Sequence, residues 1–117
     1  MLEDIIIFKI DEDRIKNFNG SIYEAGNGHW IMDLVRASKC THAVFVIKGK
    51  NIIEAVYEIK NWKESAECDG KKVFEGIKDT ELEKLWVGKL INKCYRKQGR
   101  IGGRVYASSK NLLEEIA

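Results

Sequence analysis

Positively charged side chains concentrate in the last third of the sequence and suggest chemistry with an anion. Residues 84 to 113 contain eight lysines and arginines and no acidic residue, whereas residues 1 to 83 hold 12 basic and 16 acidic residues. Each lysine or arginine that reaches a phosphate releases condensed counterions, so a few contacts give salt-sensitive binding without base reading. Gly99, Gly102 and Gly103 would let backbone amides approach the same anion. The candidate phosphate-binding residues are Lys93, Arg96, Lys97, Arg100 and Arg104. A solvated loop whose charges offset the acidic body is the alternative.

Two tryptophans stand where the aromatic rim of a base-binding pocket would be placed. Trp30 follows a Gly-Asn-Gly-His turn, and Trp62 follows the second strand of a predicted hairpin. A base stacked on an aromatic ring gains about 1 to 3 kcal/mol with little dependence on its identity. Large aromatics also dominate the cores of small domains, so a place in the core is the alternative for both residues. Trp86 lies on the apolar stripe of a predicted helix and is expected in the core.

The cysteines, histidines and carboxylates are poorly arranged for metal binding or catalysis. Cys40 and His42 form a two-ligand cluster without the second pair that a zinc site requires. A Cys-His nucleophile pair at this spacing lacks the third group that would orient it. Acidic pairs such as Glu54 and Glu58 are expected to face solvent rather than to bind magnesium. The sequence therefore predicts no metal, no cofactor and no catalytic residue, and it favours a binding module over an enzyme.

Length and composition favour one soluble domain spanning residues 1–117. The chain is 44% hydrophobic and 32% charged, which supplies an ordinary core and a polar surface. Its three cysteines are odd in number and far apart, which is typical of a reducing compartment. The first residues are acidic where a signal peptide would be basic, and their apolar run is too short to span a membrane. We therefore expect a cytoplasmic protein without a membrane segment.

Short strands and helices must hold these candidate residues. The β-branched run at residues 5 to 10 predicts a buried opening strand. Two β-rich runs, at residues 42 to 47 and 52 to 59, predict a hairpin, and the first run is apolar on both faces, as in a central strand. In the second run, alternation places Ile53, Ala55, Tyr57 and Ile59 on one continuous face. The remaining predictions are a helix over residues 30 to 37, a strand over 72 to 77, a helix behind a capping box that starts at Thr80, a last strand over 104 to 107 and a final helical turn. The fold class that follows is α+β, with a small mixed, partly closed β-barrel of five to six strands and two to three short flanking helices.

The pattern of apolar residues and turns resembles the PUA-like superfamily, which includes the ASCH, EVE and YTH branches. The resemblance covers about Trp30 to Tyr106. It rests on five segments in chain order. They are Trp30 with the predicted helix that follows it, residues 43 to 62 with their glycine turn, Phe74-Glu75-Gly76, Val87-Gly88-Lys89 and the last strand at residues 104 to 107. It implies a β-barrel that binds RNA or modified nucleic acid, through an aromatic pocket that receives one base.

We therefore expect a nucleic-acid-binding module for RNA or modified DNA. The basic glycine-rich loop would bind phosphates, and Trp30 or Trp62 would hold a base. One alternative is a protein-interaction or inhibitor module that docks its acidic and basic surfaces on a partner or on another copy of the chain. A binder of a small nucleotide is a third hypothesis. The leading hypothesis requires the segment 93 to 104 to lie beside the two tryptophans in one groove.

Overall fold

Five strands form one mixed sheet in the structure, a computed structural model that describes residues 3–28, 30, 33–66, 70–96 and 103–114. The strands are β1 (Ile5–Ile10), β2 (His42–Ile47), β3 (Ile53–Glu64), β4 (Lys72–Lys78) and β5 (Arg104–Ala107). Their order across the sheet is β4-β3-β2-β1-β5. β1 and β2 run parallel, and the other neighbours are antiparallel. The prediction that residues 42 to 47 form a central strand is confirmed.

Short helices fill the connections between the strands. They are α1 (Glu12–Asn17), α2 (Ile22–Gly26), α3 (Leu34–Ala37), α4 (Thr80–Trp86) and α5 (Lys93–Arg96), followed by a 3-10 helix at Ser109–Asn111. The first three form the crossover that the parallel pair β1 and β2 requires. The helix predicted from Trp30 onwards is shorter than expected, because Trp30 instead forms an antiparallel bridge with Lys72. A bilayer-spanning helix is not found among the residues that the structure describes.

Alternate side chains of β1 build an apolar layer on each side of the sheet. Ile6, Phe8 and Ile10 lie on what we call the first face, which α2 and α3 cover with Ala25 and Ala37. Ile5 and Ile7 lie on the second face, which α4 and α5 cover with Leu82, Trp86 and Tyr95 among other residues. All six residues of β1 are buried. The sheet therefore has helices on both sides. The face on which a side chain lies determines which of the two apolar layers it joins.

A β-bulge in the hairpin moves one predicted core residue to the other face. Val46 pairs with Ile53, and Phe45 pairs with Ala55, which leaves Glu54 as an extra residue. Ile53 consequently packs on the second face, whereas Ala55, Tyr57 and Ile59 pack on the first. The continuous face predicted from residue 53 to residue 59 is wrong at Ile53, because one unpaired residue reverses the alternation of side chains.

The segment between α2 and Trp30 covers the outer edge of β4. The amides of Lys72, Phe74 and Gly76 donate to the Trp30 carbonyl, the Asn27 carbonyl and the Tyr23 hydroxyl, at 2.7, 2.9 and 3.0 Å. β4 and β5 nevertheless form the two edges of the sheet, which is open within the described residues. The α+β class and the mixed five-stranded sheet are found, whereas closure into a barrel is not confirmed.

Candidate functional site

Trp62 lies near the end of β3, after a second bulge. The bulge reverses the alternation of side chains and places the indole on the first face. The register with β4 shifts between Ile59 and Asn61, and Trp62 then pairs with Phe74. The indole packs edge-on against the Phe74 ring, with the centroids 5.4 Å apart. Its Nε1 atom is buried and finds no hydrogen-bond acceptor among the described residues. A buried donor without a partner costs free energy, so this atom marks a place where a ligand would be stabilised.

A cavity of about 300 Å³ opens beside this indole. It lies between the segment that follows α3 and the outer half of β3. Its described lining residues are Leu34, Ser38, Cys40, Ile59, Lys60, Asn61 and Trp62. We call this space the Trp62 cavity. The volume is at the lower end of the range for small-molecule sites, about 300 to 1,000 Å³, and therefore suits a ligand of one ring system.

Two polar side chains that line the Trp62 cavity already have hydrogen-bond partners. The Ser38 hydroxyl donates to the Val35 carbonyl at 2.9 Å, and the Lys60 ammonium donates to Glu58 at 2.8 Å. Burial, together with the charges of Glu3 and Asp4, raises the pKa of the Cys40 thiol to about 11, so the thiol is neutral and a poor nucleophile. The cavity is thus suited to binding rather than to covalent chemistry, and the Trp62 indole is its unsatisfied donor.

Trp30 shares the first face with Trp62 but has a different environment. Its Nε1 atom donates to the Gly26 carbonyl at 2.7 Å, and its ring lies 4.7 Å from the Phe8 ring. Phe8 stacks on Phe74 at 5.6 Å, and Phe74 contacts Trp62, so the two tryptophans belong to one aromatic cluster. Because its donor is satisfied and its ring packs on the core, Trp30 supports the cavity instead of presenting a free polar atom to it.

The described cationic candidates are divided between the two faces. Lys93 and Arg96 belong to α5, whose Tyr95 packs on the second face, away from both tryptophans. Arg96 Nε donates to the Ile91 carbonyl at 2.9 Å, and a terminal nitrogen lies 2.8 Å from Glu114 in an ion pair, although this buried nitrogen makes no hydrogen bond with the described residues.

Arg104 is the described candidate that shares the first face with the tryptophans. It stands on β5 opposite Phe8, two residues before Tyr106, which packs on that face. β5 is the edge strand opposite β4, so Arg104 lies across the sheet from Trp62. Lys97 and Arg100 lie outside the described residues. The single groove that the sequence hypothesis required is therefore not formed by Lys93 and Arg96 with the tryptophans.

A cluster on the first face that the sequence did not reveal surrounds Tyr106. The Arg36 guanidinium lies over the Tyr106 ring, 4.0 Å from its centroid, and forms a two-pronged pair with Glu3. The Tyr106 hydroxyl is buried without a hydrogen-bond partner among the described residues. Burial raises the pKa of this hydroxyl, while the charges of Arg104 and Arg36 oppose the shift. No local motif joins residues 3, 36 and 106, because only the pairing of β1 with β5 and the position of α3 bring them together.

A second polar cluster ties β2 to α4. His42 Nε2 lies 3.0 Å from Asp79 Oδ2, and His42 Nδ1 lies 2.8 Å from the Thr41 hydroxyl. The other Asp79 oxygen accepts from the Leu82 amide and caps α4. Every member has a structural partner, and the cluster links β2 to the first turn of α4. In the described parts of the chain, no three His, Cys, Asp or Glu side chains are grouped so that they could hold a metal ion.

Comparison with family models, with curated proteins and with solved structures yields no match to this chain.

Proposed function

We propose that this chain is a nucleic-acid-binding module, for RNA or modified DNA, that receives one base in the Trp62 cavity. The observation that carries the proposal is the Trp62 side chain, which lines a cavity of about 300 Å³ and whose buried indole Nε1 has no acceptor among the described residues. A base carries ring nitrogens and carbonyl oxygens that accept such a hydrogen bond, and it presents a flat face to an aromatic ring.

The proposal keeps a PUA-like barrel as its fold and the basic segment as its source of phosphate contacts. Support for the fold comes from the single mixed sheet, whose five strands match the number that the barrel prediction requires. Support for the phosphate contacts comes from the eight basic and no acidic residues between 84 and 113. Of the described candidates, Lys93 is exposed and Arg104 lies on the first face with the tryptophans, and we assign phosphate contacts to both.

Fluorescence anisotropy with single-stranded RNA, single-stranded DNA and duplex DNA tests the proposal. We expect binding at about 50 mM salt that weakens as salt rises. The Trp62→Ala variant should lose affinity by about 5-fold to 150-fold, because a stacked base contributes about 1 to 3 kcal/mol. Trp62→Phe keeps an aromatic ring but removes the indole donor, so it should lose about 2-fold to 12-fold, the equivalent of one neutral hydrogen bond.

Two controls separate base recognition from general charge or folding effects. Trp86→Phe alters a tryptophan of the second face and should leave affinity unchanged. An oligonucleotide with an abasic position should bind wild-type protein and Trp62→Ala equally. Absence of binding at low salt, or equal affinity of wild type and Trp62→Ala for the intact oligonucleotide, would refute the proposal.

A protein-interaction module is the second candidate, and one surface favours it. Gly88, Lys89, Leu90, Leu113 and Glu114 line a shallow groove of about 470 Å³. Several exposed apolar side chains lie near it in the sequence, including Val87 (41% exposed) and Leu90 (38% exposed). Light scattering after gel filtration distinguishes this candidate, because a second copy docked on the groove would double the mass. Titration with mononucleotides tests the third hypothesis, a small-nucleotide site.

A further inference from the structure

The Arg36 guanidinium on the first face forms two hydrogen bonds to one carboxylate of the same chain, the geometry in which arginine also binds a phosphate. Its Nε atom donates to Glu3 Oε1 at 3.0 Å, and one terminal nitrogen donates to Glu3 Oε2 at 2.7 Å. Two parallel bonds to two oxygens of one anion are the geometry in which arginine recognises a carboxylate or a phosphate. Glu3 thus occupies the position that a phosphate would take.

This ion pair is accessible, so an external anion can displace Glu3. The Arg36 side chain is 50% exposed and the Glu3 side chain is 44% exposed. Exposed ion pairs contribute little to stability, because water and salt compete for both charges. A phosphodiester that is delivered by a bound polynucleotide would compete with Glu3 at a high effective concentration.

Tyr106 would keep the guanidinium in place after Glu3 leaves. The Arg36 group lies 4.0 Å from the centroid of the Tyr106 ring. That ring stands on β5 and packs against the buried cluster of the first face, so its position is fixed by the sheet. A cation held over an aromatic face is attracted by the ring quadrupole independently of any carboxylate. Arg36 is therefore preorganised for a second anion.

The backbone of Arg36 belongs to the same short segment as three residues of the Trp62 cavity, and its side chain extends toward Tyr106 on β5. Leu34, Ser38 and Cys40 line that cavity, and Arg36 lies between them in the chain. The Cys40 thiol contacts the backbone carbonyls of Arg36 and Glu3, at 3.8 and 3.7 Å. One short segment thus carries a wall of the cavity and the guanidinium, so a strand whose base enters the cavity could reach Arg36 with a phosphate farther along, on the β5 side of the first face.

We propose that Arg36, stacked on Tyr106, is a phosphate-binding site that serves the Trp62 cavity, and that Glu3 occupies this site in the free protein. The ligand group is a phosphodiester of a bound nucleic acid, so this inference rests on the proposed function. Glu3 acts as an intramolecular competitor, and its removal strengthens binding. The basic segment at 84 to 113 did not point to this site, because Arg36 belongs to the acidic part of the sequence.

The Glu3→Gln variant tests the competition directly. We expect its affinity for a single-stranded oligonucleotide to rise by about two-fold to five-fold at low salt, the amount that an exposed ion pair typically represents. Glu12→Gln is the matched control. Glu12 pairs with Lys50 at 3.0 Å, is 51% exposed and lies beyond the other end of β1, so the substitution removes the same charge at a distant place. Equal gains in the two variants would show a general charge effect and would overturn the inference.

The Arg36→Ala variant tests the phosphate contact itself. It should weaken binding and reduce the slope of log affinity against log salt by about one, while an abasic oligonucleotide should show the same loss. Arg36→Lys, which keeps the charge without the planar fork, should restore the salt slope but only part of the affinity. Thermal melting of each variant verifies the fold. An unchanged salt slope in a folded Arg36→Ala protein would overturn the inference, whereas a wild-type protein that binds no oligonucleotide would refute the proposed function itself.

Discussion

At the scale of single residues, two of the three buried side-chain polar atoms that lack a hydrogen-bond partner in the described structure lie on the first face. The third is a terminal nitrogen of Arg96, which forms an ion pair with Glu114 on the second face. Trp62 Nε1 and the Tyr106 hydroxyl are both buried on the first face without a hydrogen-bond partner among the described residues. By contrast, Trp30 Nε1 and the hydroxyl of Tyr23, at the same face, are both engaged. Because unsatisfied buried donors are rare in folded proteins, two on one face favour that face as the ligand-binding surface.

Gly103, just before β5, allows a prediction at this scale. It has a φ of +71°, and a Cβ atom there would lie 2.9 Å from the Lys9 carbonyl oxygen. Gly103→Ala should therefore destabilise the protein by about 2 to 4 kcal/mol, through strain at positive φ and through the backbone clash. Urea unfolding followed by circular dichroism measures the change.

Gly49→Ala separates the two causes. Gly49 has a similar φ of +88°, but a Cβ atom there would meet nothing within 4 Å. This variant should cost only about 1 kcal/mol, the part that comes from φ alone. An equal loss of unfolding free energy in Gly103→Ala and Gly49→Ala would contradict the prediction, because it would show that the close Lys9 carbonyl oxygen adds no destabilisation.

At the scale of elements, the sequence places the N-cap of α4 one residue too late. The capping box predicted Thr80 as the N-cap, but α4 begins at Thr80 and the cap is Asp79, whose carboxylate accepts from the Leu82 amide at 3.0 Å. Both residue types favour this position, so the sequence alone does not separate them. His42, which reaches Asp79 from β2, selects the aspartate through tertiary contact.

This cap makes the stability of the protein depend on pH. The Leu82 amide and, to a lesser degree, His42 hold the pKa of Asp79 below its ordinary value of 3.8. Stability from the charged carboxylate is therefore complete above about pH 4 and is lost as the pH falls through the lower, folded-state pKa. Asp79→Ala should cost about 1 to 2 kcal/mol at pH 7 and progressively less below pH 4, as measured by urea unfolding.

Asp11→Ala is the comparison for this prediction. Asp11 also precedes a helix, α1, but its side chain makes no capping hydrogen bond. Its replacement should change the unfolding free energy at pH 7 by less than about 0.5 kcal/mol. A pH-independent loss in Asp79→Ala would contradict the assigned role of the carboxylate.

The elements that the sequence predicted well are those with strong local patterns. The runs at residues 5 to 10, 42 to 47, 72 to 77 and 104 to 107 are strands, and helix α4 follows its capping signal. The failures have long-range causes. Trp30 is drawn into a bridge by Lys72 of β4, and the bulge at Glu54 depends on the register with β2. The Glu3, Arg36 and Tyr106 cluster joins residues that are far apart in the chain, so no spacing rule predicts it.

At the scale of the whole molecule, the sheet separates the proposed base-binding surface from the described basic residues of α5. The Trp62 cavity and Arg36 belong to the first face, whereas Lys93 and Arg96 stand on the second. A polynucleotide that used both surfaces would have to pass around an edge of the sheet. Tyr23, Asn27 and Trp30 cover the outer edge of β4, which leaves the β5 side, where Arg104 stands, as the shorter path.

Phe8 connects the strands that build this arrangement. It lies on β1, is fully buried, and its ring contacts those of Trp30, Phe45 and Phe74 at 4.7, 5.8 and 5.6 Å. These partners come from the segment beyond α2, from β2 and from β4, and Phe74 in turn supports Trp62. Removal of the Phe8 ring would therefore leave a cavity among the rings of Trp30, Phe45 and Phe74.

We expect Phe8→Ala to lower the free energy of unfolding by about 3 to 5 kcal/mol, which combines lost burial with the cost of the cavity. This is a large part of the roughly 5 to 15 kcal/mol that stabilises an ordinary domain. Ile77→Ala, at a position that is 58% exposed on β4, should cost less than about 0.5 kcal/mol and serves as the control. Urea unfolding at neutral pH gives both values. A loss near 1 kcal/mol in Phe8→Ala would mean that the aromatic cluster does not hold the first face together, and the support that we assign to Trp62 through Phe74 would fall with it.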